Sequence, residues 1–261
     1  MKLIKSLIIL PGTLIAQLSL TLSAFAATTS QSPINFTSAS TVYSSLPTLG
    51  YNYGTNVGLH VFNNGSPDED ATVKANVTSG SASLALSGSN YNLLQFHFHT
   101  HSEHQLDGME FPMELHLVHQ LVGSTGNADL LVTGRWIIDG AENTLLANIF
   151  SNLPPDTATS YNLYNFNLSG LLPSSLTSYR YGGSLTTPAY DEGVQWVFLD
   201  TPLEMSAAQI QSFKTLFPAG NARDVQELYG RTIFTDVVPE PSRLAFLGLG
   251  VIILLFTRSR R

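Results

Sequence analysis

Residues 95 to 105, QFHFHTHSEHQ, place four histidines and one glutamate within eleven residues. Imidazole and carboxylate groups bind divalent metals or move protons near neutral pH, so this density points to one of those two chemistries. The chain has no cysteine, so a metal held here takes nitrogen and oxygen ligands. Side chains alternate faces along a β-strand, which puts Gln95, His97 and His99 on one side and Phe96 and Phe98 on the other. The phenylalanine side is expected to be core and the histidine side polar.

Eight residues further on, MELHLVHQLV sets Glu114, His116 and Val118 on one face and Leu115, Leu117 and His119 on the opposite one. If the two strands pair as a hairpin, His116 comes across from His97 and His99. Three neutral imidazoles then make three corners of a tetrahedron and leave the fourth for water, the arrangement of a catalytic zinc. Spacing alone leaves rivals open. His101 and His104 compete with His116 for the third position, and His-x-His followed by Glu103 satisfies the ligand half of a cupin pattern. In that reading Glu103 is a ligand and iron or manganese the metal, although the glycine expected after Glu103 is missing.

The elements that position these residues read as strands. ATVKANV, SASLAL, YNLLQFHFH, MELHLVHQLV, DLLVTGRWII and VQWVFL are alternating or β-branched runs bounded by turn residues. Two helices are expected, AENTLLANIF and SAAQIQSFKTLF, the second capped by Ser206. The fold class is therefore mainly β, a large twisted and mostly antiparallel sheet with a few short peripheral helices. Only 12% of residues are charged and the formal net charge is -7, so no basic surface for nucleic acid is expected.

Both termini read as targeting segments. Lys2 and Lys5 precede an apolar run from Leu7 to Leu22 and the small-residue pattern Ala24-Phe25-Ala26, a secretory leader over residues 1–26 cut by signal peptidase. Residues 237–261 carry Pro239-Glu240-Pro241, an apolar run from Leu244 to Phe256, and Arg258, Arg260 and Arg261. The run is short for a membrane span, which takes about 20 residues. The order of the three parts resembles the PEP-CTERM sorting tags of Gram-negative bacteria, which an exosortase recognises. The expected protein is exported to the periplasm, cell surface or extracellular matrix, membrane-bound through this segment before processing, with one domain over residues 27–236.

QFHFHTHSEHQLDGMEFPMELHLVH closely resembles the zinc-site signature of α-class carbonic anhydrases. So, in the same order, do QSPINF at 31–36, SLTTP at 184–188, EGVQWVFL at 192–199 and NARDVQELYGRTI at 221–233. The resemblance implies reversible hydration of carbon dioxide to bicarbonate and a proton by zinc-bound hydroxide. It assigns His97, His99 and His116 as the zinc ligands. Gln95 would support His97, Glu114 would support His116, and the backbone carbonyl of Asn221 would support His99. Thr186 would accept a hydrogen bond from the hydroxide and pass its own proton to Glu103, which makes Glu103 an orienting group and not a ligand. Val118, Val132, Leu185, Thr187 and Trp196 match the substrate pocket. His104 and His119 match buried positions away from the metal.

Two departures bear on turnover and stability. Relatives carry a proton-shuttling histidine after an Asn-Asn-Gly segment; here Ser66 follows Asn63-Asn64-Gly65. A small shift in alignment gives the role to His60; otherwise buffer, Asp68, Glu69 or Asp70 would take the proton. The Trp-containing segment that precedes QSPIN in many relatives is missing, and His101 stands where bacterial relatives commonly have proline. Carbonic-anhydrase-like modules that bind partners without catalysis usually lack one or more zinc histidines, whereas all three positions, Glu103 and Thr186 are kept here.

Overall fold

The computed structural model describes residues 30–65 and 71–238. The expected leader and the tag beyond residue 238 lie outside the described residues, as do Ser66, Asp68, Glu69 and Asp70. In chain order the strands are β1 (Asn35–Phe36), β2 (Thr41–Tyr43), β3 (Gly50–Tyr53), β4 (Val57–Asn63), β5 (Val73–Val77), β6 (Ala82–Leu86), β7 (Ser89–His99), β8 (Gln105–Leu106), β9 (Met113–Leu121), β10 (Leu130–Asp139), β11 (Ser160–Phe166), β12 (Ser178–Ser184), β13 (Glu192–Met205) and β14 (Ile233–Thr235). The helices are α1 (Ala147–Phe150) and α2 (Ala207–Leu216), with a 3-10 turn at Leu168–Leu171.

Twelve strands form one sheet in the order β11-β4-β5-β7-β9-β10-β13-β12-β14-β2, with β3 and β6 continuing beside β7. Its pairs are antiparallel except β10–β13 and β14–β2, so the mainly antiparallel, mainly β architecture expected from the periodicity is what forms. The parallel β10–β13 pair is joined by a long crossover that carries α1, β11 and β12, as parallel neighbours require. The short β1 and β8 pair separately.

The six strand runs read from the sequence fall on β5, β6, β7, β9, β10 and β13. Ser206 caps α2 and forms a reciprocal capping box with Gln209. The first expected helix is corrected: only its last four residues, Ala147–Phe150, are helical. Asn143 turns the chain beforehand, because its side chain accepts from the Leu146 N–H at 3.1 Å while Gln209 accepts its backbone N–H at 2.9 Å. A tertiary contact thus sets a boundary that the local pattern does not show.

Phe96 and Phe98 are fully buried with Leu115 and Leu117 in the largest apolar cluster, which leaves the alternate residues of β7 and β9 to the opposite face. From Met113 to His119, β9 is buried on both faces, so every polar side chain there must find a partner inside the protein. His119 does so on the core side. Its Nδ1–H donates to the Leu131 carbonyl at 3.1 Å, and Nε2 accepts from the Tyr53 hydroxyl at 2.6 Å.

Burial lowers the pKa of His119 to about 4. The unfolded chain takes a proton near pH 6.5 that the folded ring refuses until about pH 4, so acid favours the unfolded state across that window. Urea denaturation of the metal-free protein at pH 7.5 and pH 5 is expected to show lower stability at pH 5. The loss should be smaller in His119→Gln, and an equal loss in the two proteins would refute the assignment.

Candidate metal centre

Antiparallel pairing of β7 with β9 places His97 directly opposite His116. A register shift between Leu93 and Gln95 brings Gln95, His97 and His99 onto the face away from the core. The rings then converge: centroids lie 5.0 Å apart for His97 and His99, 5.1 Å for His97 and His116, and 4.7 Å for His99 and His116. One nitrogen from each can be chosen so that all three lie within 4.8 Å of one another.

The far sides of the rings decide which nitrogens those are. His97 donates from Nδ1 to Gln95 Oε1 at 2.8 Å, and His99 donates from Nδ1 to the Asn221 carbonyl at 2.8 Å. His116 donates from Nε2 to Glu114 Oε1 at 2.5 Å. Each tie fixes a tautomer, leaving lone pairs on Nε2 of His97, Nε2 of His99 and Nδ1 of His116. Nε2 of His99 is buried and has no hydrogen-bond partner. An acceptor orphaned in the interior is costly unless something electron-poor occupies the space beside it. Burial holds His97 neutral, with a pKa well below the usual range, and lowers His99 to about 3. Three convergent and pre-oriented imidazoles fit one divalent cation with a position left for water.

Glu114 is a hub behind this centre. Burial alone would raise its pKa, but His104 and the hydrogen bonds from His104 and His116 hold the carboxyl well below its ordinary value. His104 donates its Nδ1–H to Oε1 at 2.7 Å and its backbone N–H to Oε2 at 2.8 Å. His104, Glu114 and His116 are therefore tied through hydrogens, which leaves no open donor set for a second metal among them.

Glu103 sits beside the far nitrogens too, 3.4 Å from His99 Nδ1 and 3.8 Å from His116 Nε2. It lies behind the rings and does not join their convergent side, contrary to the cupin alternative. Burial and the nearby Glu114 raise its pKa well above the ordinary value, opposed by the Arg223 N–H, the Thr186 side chain and the Arg223 charge. Oε1 accepts the Arg223 N–H at 3.0 Å, while Oε2 has no partner of good hydrogen-bond geometry even though Thr186 is close enough to act on the carboxyl. A divalent cation among the rings would favour the carboxylate form.

In front of the rings opens a cleft of about 250 Å³. His97, His116, Gln95 and Thr186 line it together with Val118, Val132, Leu185, Thr187 and Trp196, so all five expected substrate-side residues meet in one place. Sequence reasoning missed Lys74 and Asn127, which also line it. Lys74 pairs across the strands with His97, and alternation within TVKANV was the available signal. Asn127 bridges to Asp191 at 2.8 Å and was invisible in a polar turn. His60 is exposed on β4, bonded to Asn162 at 3.1 Å, and does not line the cleft. It shares the sheet face of Gln95 through Asn76, two strand spacings or about 10 Å away. The His101 side chain is 48% exposed and sits 3.6 Å from Glu110.

The family described as eukaryotic-type carbonic anhydrase matches residues 21–237. A carbonic anhydrase of Pectobacterium atrosepticum is 37% identical over 206 residues, covering 78% of each chain. One of Neisseria gonorrhoeae is 39% identical over 204 residues, covering 78% of this chain and 76% of its own. Among solved structures, the α-carbonic anhydrase of Thermovibrio ammonificans in complex with sulfanilamide superposes with a TM-score of 0.71 at 32% identity, covering 78% of this chain and 86% of that one. That of Photobacterium profundum superposes with a TM-score of 0.71 at 32% identity, covering 80% and 90%.

His99→Ala is expected to abolish stoichiometric divalent-metal uptake, measured by elemental analysis of the purified protein. His101→Ala should keep the native metal content. Loss of metal in His101→Ala equal to that in His99→Ala would overturn the ligand set.

Proposed function

The chain belongs to the α-class carbonic anhydrases and catalyses the reversible hydration of carbon dioxide to bicarbonate, and from that premise we propose that His97, His99 and His116 hold the zinc on which the family depends. The observation that carries the assignment is the convergence of three ring nitrogens whose far sides are all tied. Bound zinc supplies Lewis acidity that makes water a nucleophile near neutral pH, the general property of carbonic anhydrases.

The chain's own side chains then aim that nucleophile. The Thr186 hydroxyl has one hydrogen, and Glu103 lies behind it to accept a hydrogen bond from it. The Thr186 oxygen would be left to accept a hydrogen bond from the nucleophilic oxygen, and so would orient it toward the substrate. Val118, Val132, Leu185 and Trp196 offer an apolar wall that suits carbon dioxide, a small neutral molecule without strong hydrogen bonding. The charged product gains nothing from that wall, so it leaves readily. Thr187 lines the same cleft on the substrate side.

The proton left over must reach solvent. His60 is the imidazole we assign to this step, through water, since it is exposed and shares the sheet face of Gln95, although it does not itself line the cleft. Its remoteness makes external buffer an effective carrier as well. We also read the chain as exported by its leader and, until an exosortase acts on the C-terminal tag, membrane-held; the support is the charge and hydropathy pattern at residues 1–26 and 237–261.

Stopped-flow hydration of carbon dioxide by zinc-loaded protein tests the whole reading. Thr186→Ala should keep its zinc and lose on the order of 10²-fold in kcat/KM. Turnover should rise with imidazole buffer, more steeply in His60→Ala. A protein with stoichiometric zinc and no hydration at any buffer concentration would sink the proposal.

A further inference from the structure

A line of buried hydrogen bonds reaches His116 from a part of the chain that touches neither the cleft nor the metal position. Ser32 Oγ lies 2.8 Å from the Tyr181 hydroxyl, and that hydroxyl lies 2.6 Å from His104 Nε2. His104 Nδ1 reaches Glu114 at 2.7 Å, and Glu114 reaches His116 Nε2 at 2.5 Å. Ser32, His104 and Glu114 are wholly buried, and Tyr181 is 5% exposed.

The direction of donation along this line is forced. At the inner end a carboxylate can only accept, so both His104 Nδ1 and His116 Nε2 carry hydrogen. His104, packed against the rings of Phe36, Trp196 and Phe198, stays a neutral ring, and its Nε2 must accept. Tyr181 is the donor within reach, so its proton points at His104 and its oxygen accepts from Ser32. At the outer end the backbone N–H of Ser184 donates to Ser32 Oγ at 3.1 Å, and Ser184 Oγ accepts the Ser32 N–H at 2.9 Å. Ser184, Ser32, Tyr181 and His104 thus donate in sequence toward one carboxylate, and such aligned bonds polarise one another.

The approach of Ser32 is built in. Gly183 has no Cβ, and one added there would collide with Ser32 Oγ and press on Tyr181 and Trp196. The neighbouring residues are held as well: Arg223 donates to the Ser32 carbonyl at 2.6 Å and to Gln31 Oε1 at 2.9 Å, and Arg231 donates to the Gln31 carbonyl at 2.7 Å.

Building on the proposed zinc site, we infer that the Gln31–Ser32 segment is a remote lock on the metal centre, with Ser32 and Tyr181 as positioning residues that act through His104 and Glu114 on His116. With the segment docked, Glu114 is fixed from behind and holds the His116 ring in its ligating tautomer and orientation. Loosening the chain at Tyr181 or Ser32 frees Glu114 and His104 to shift, and His116 follows.

The test follows zinc transfer from loaded protein to dipicolinate in the native chain and in Tyr181→Phe, Ser32→Ala, Ser32→Thr and Leu84→Ala. Leu84 is fully buried in a separate cluster, so its truncation lowers stability without touching the line. Zinc loss should accelerate about tenfold in Tyr181→Phe and Ser32→Ala, remain near native in Ser32→Thr, which keeps the hydroxyl, and stay unchanged in Leu84→Ala. The visible spectrum of the cobalt-substituted Tyr181→Phe protein should shift as well. Native rates and spectra in the first two variants, or equal acceleration in Leu84→Ala, would overturn the inference. A native chain that takes up no zinc would instead sink the proposed function, and the inference with it.

Discussion

Glu114 is a carboxylate with no solvent contact, and the interior around it is organised by the need to keep that charge hydrogen-bonded. An ionised carboxylate moved from water into a protein interior is costly unless donors surround it. Here three N–H groups converge on it: two ring nitrogens, from His104 and His116, and the His104 backbone. Each donor carries a consequence. The His116 bond selects the tautomer whose other nitrogen faces the cleft. The His104 bonds fix a ring against Phe36, Trp196 and Phe198, and so join the polar centre to the second apolar cluster.

The sheet makes this possible by burying β9 and β10 on both sides. β7 and β9 turn one set of alternate side chains toward the large apolar cluster and the other toward the rings, so a single two-residue period separates stability from chemistry. Phe96 and Phe98 anchor the strand on the core side, while His97 and His99 are presented on the other. The Asn221 segment closes the arrangement from far along the chain. Its side chain donates to the carbonyls of Ala71 and Phe98 and accepts from the Thr100 N–H, leaving its own carbonyl aimed at His99.

How much of this is legible in the sequence depends on whether a feature is carried by side-chain type and local period. The alternation of Gln95, His97 and His99 is written in residue types, and so are the hydrophobic faces that make β7 and β9 neighbours. Residue types alone do not separate His116 from His101 and His104 as the third convergent ring, because a hairpin's register is not fixed by composition. The Asn221 carbonyl has no residue-type signal, since any residue carries one. Ser32 and Tyr181 are far from His104 in sequence, and only the pairing of β12 with β13 and the docking of residues 31–36 bring them together. The parallel β10–β13 and β14–β2 pairs are equally silent in local patterns, as is the late start of α1, which a contact with Gln209 imposes.

The same preorganisation has a thermodynamic cost that a bound cation would offset. Three imidazoles held with ring nitrogens converging, one of them wholly orphaned, are an unfavourable arrangement for a metal-free protein. Ordinary core packing would not retain it, because apolar residues of similar volume fill such a space at lower cost. The burial that depresses the pKa values of His97 and His99 removes the protons a cation must otherwise displace, so metal binding at neutral pH need not compete with protonation at these two rings. The cost is met when a cation takes the lone pairs, and binding that occurs only in the folded state then stabilises that state by mass action. Fold stability and metal occupancy are linked through the same side chains, which is why the ties behind the rings bear on both.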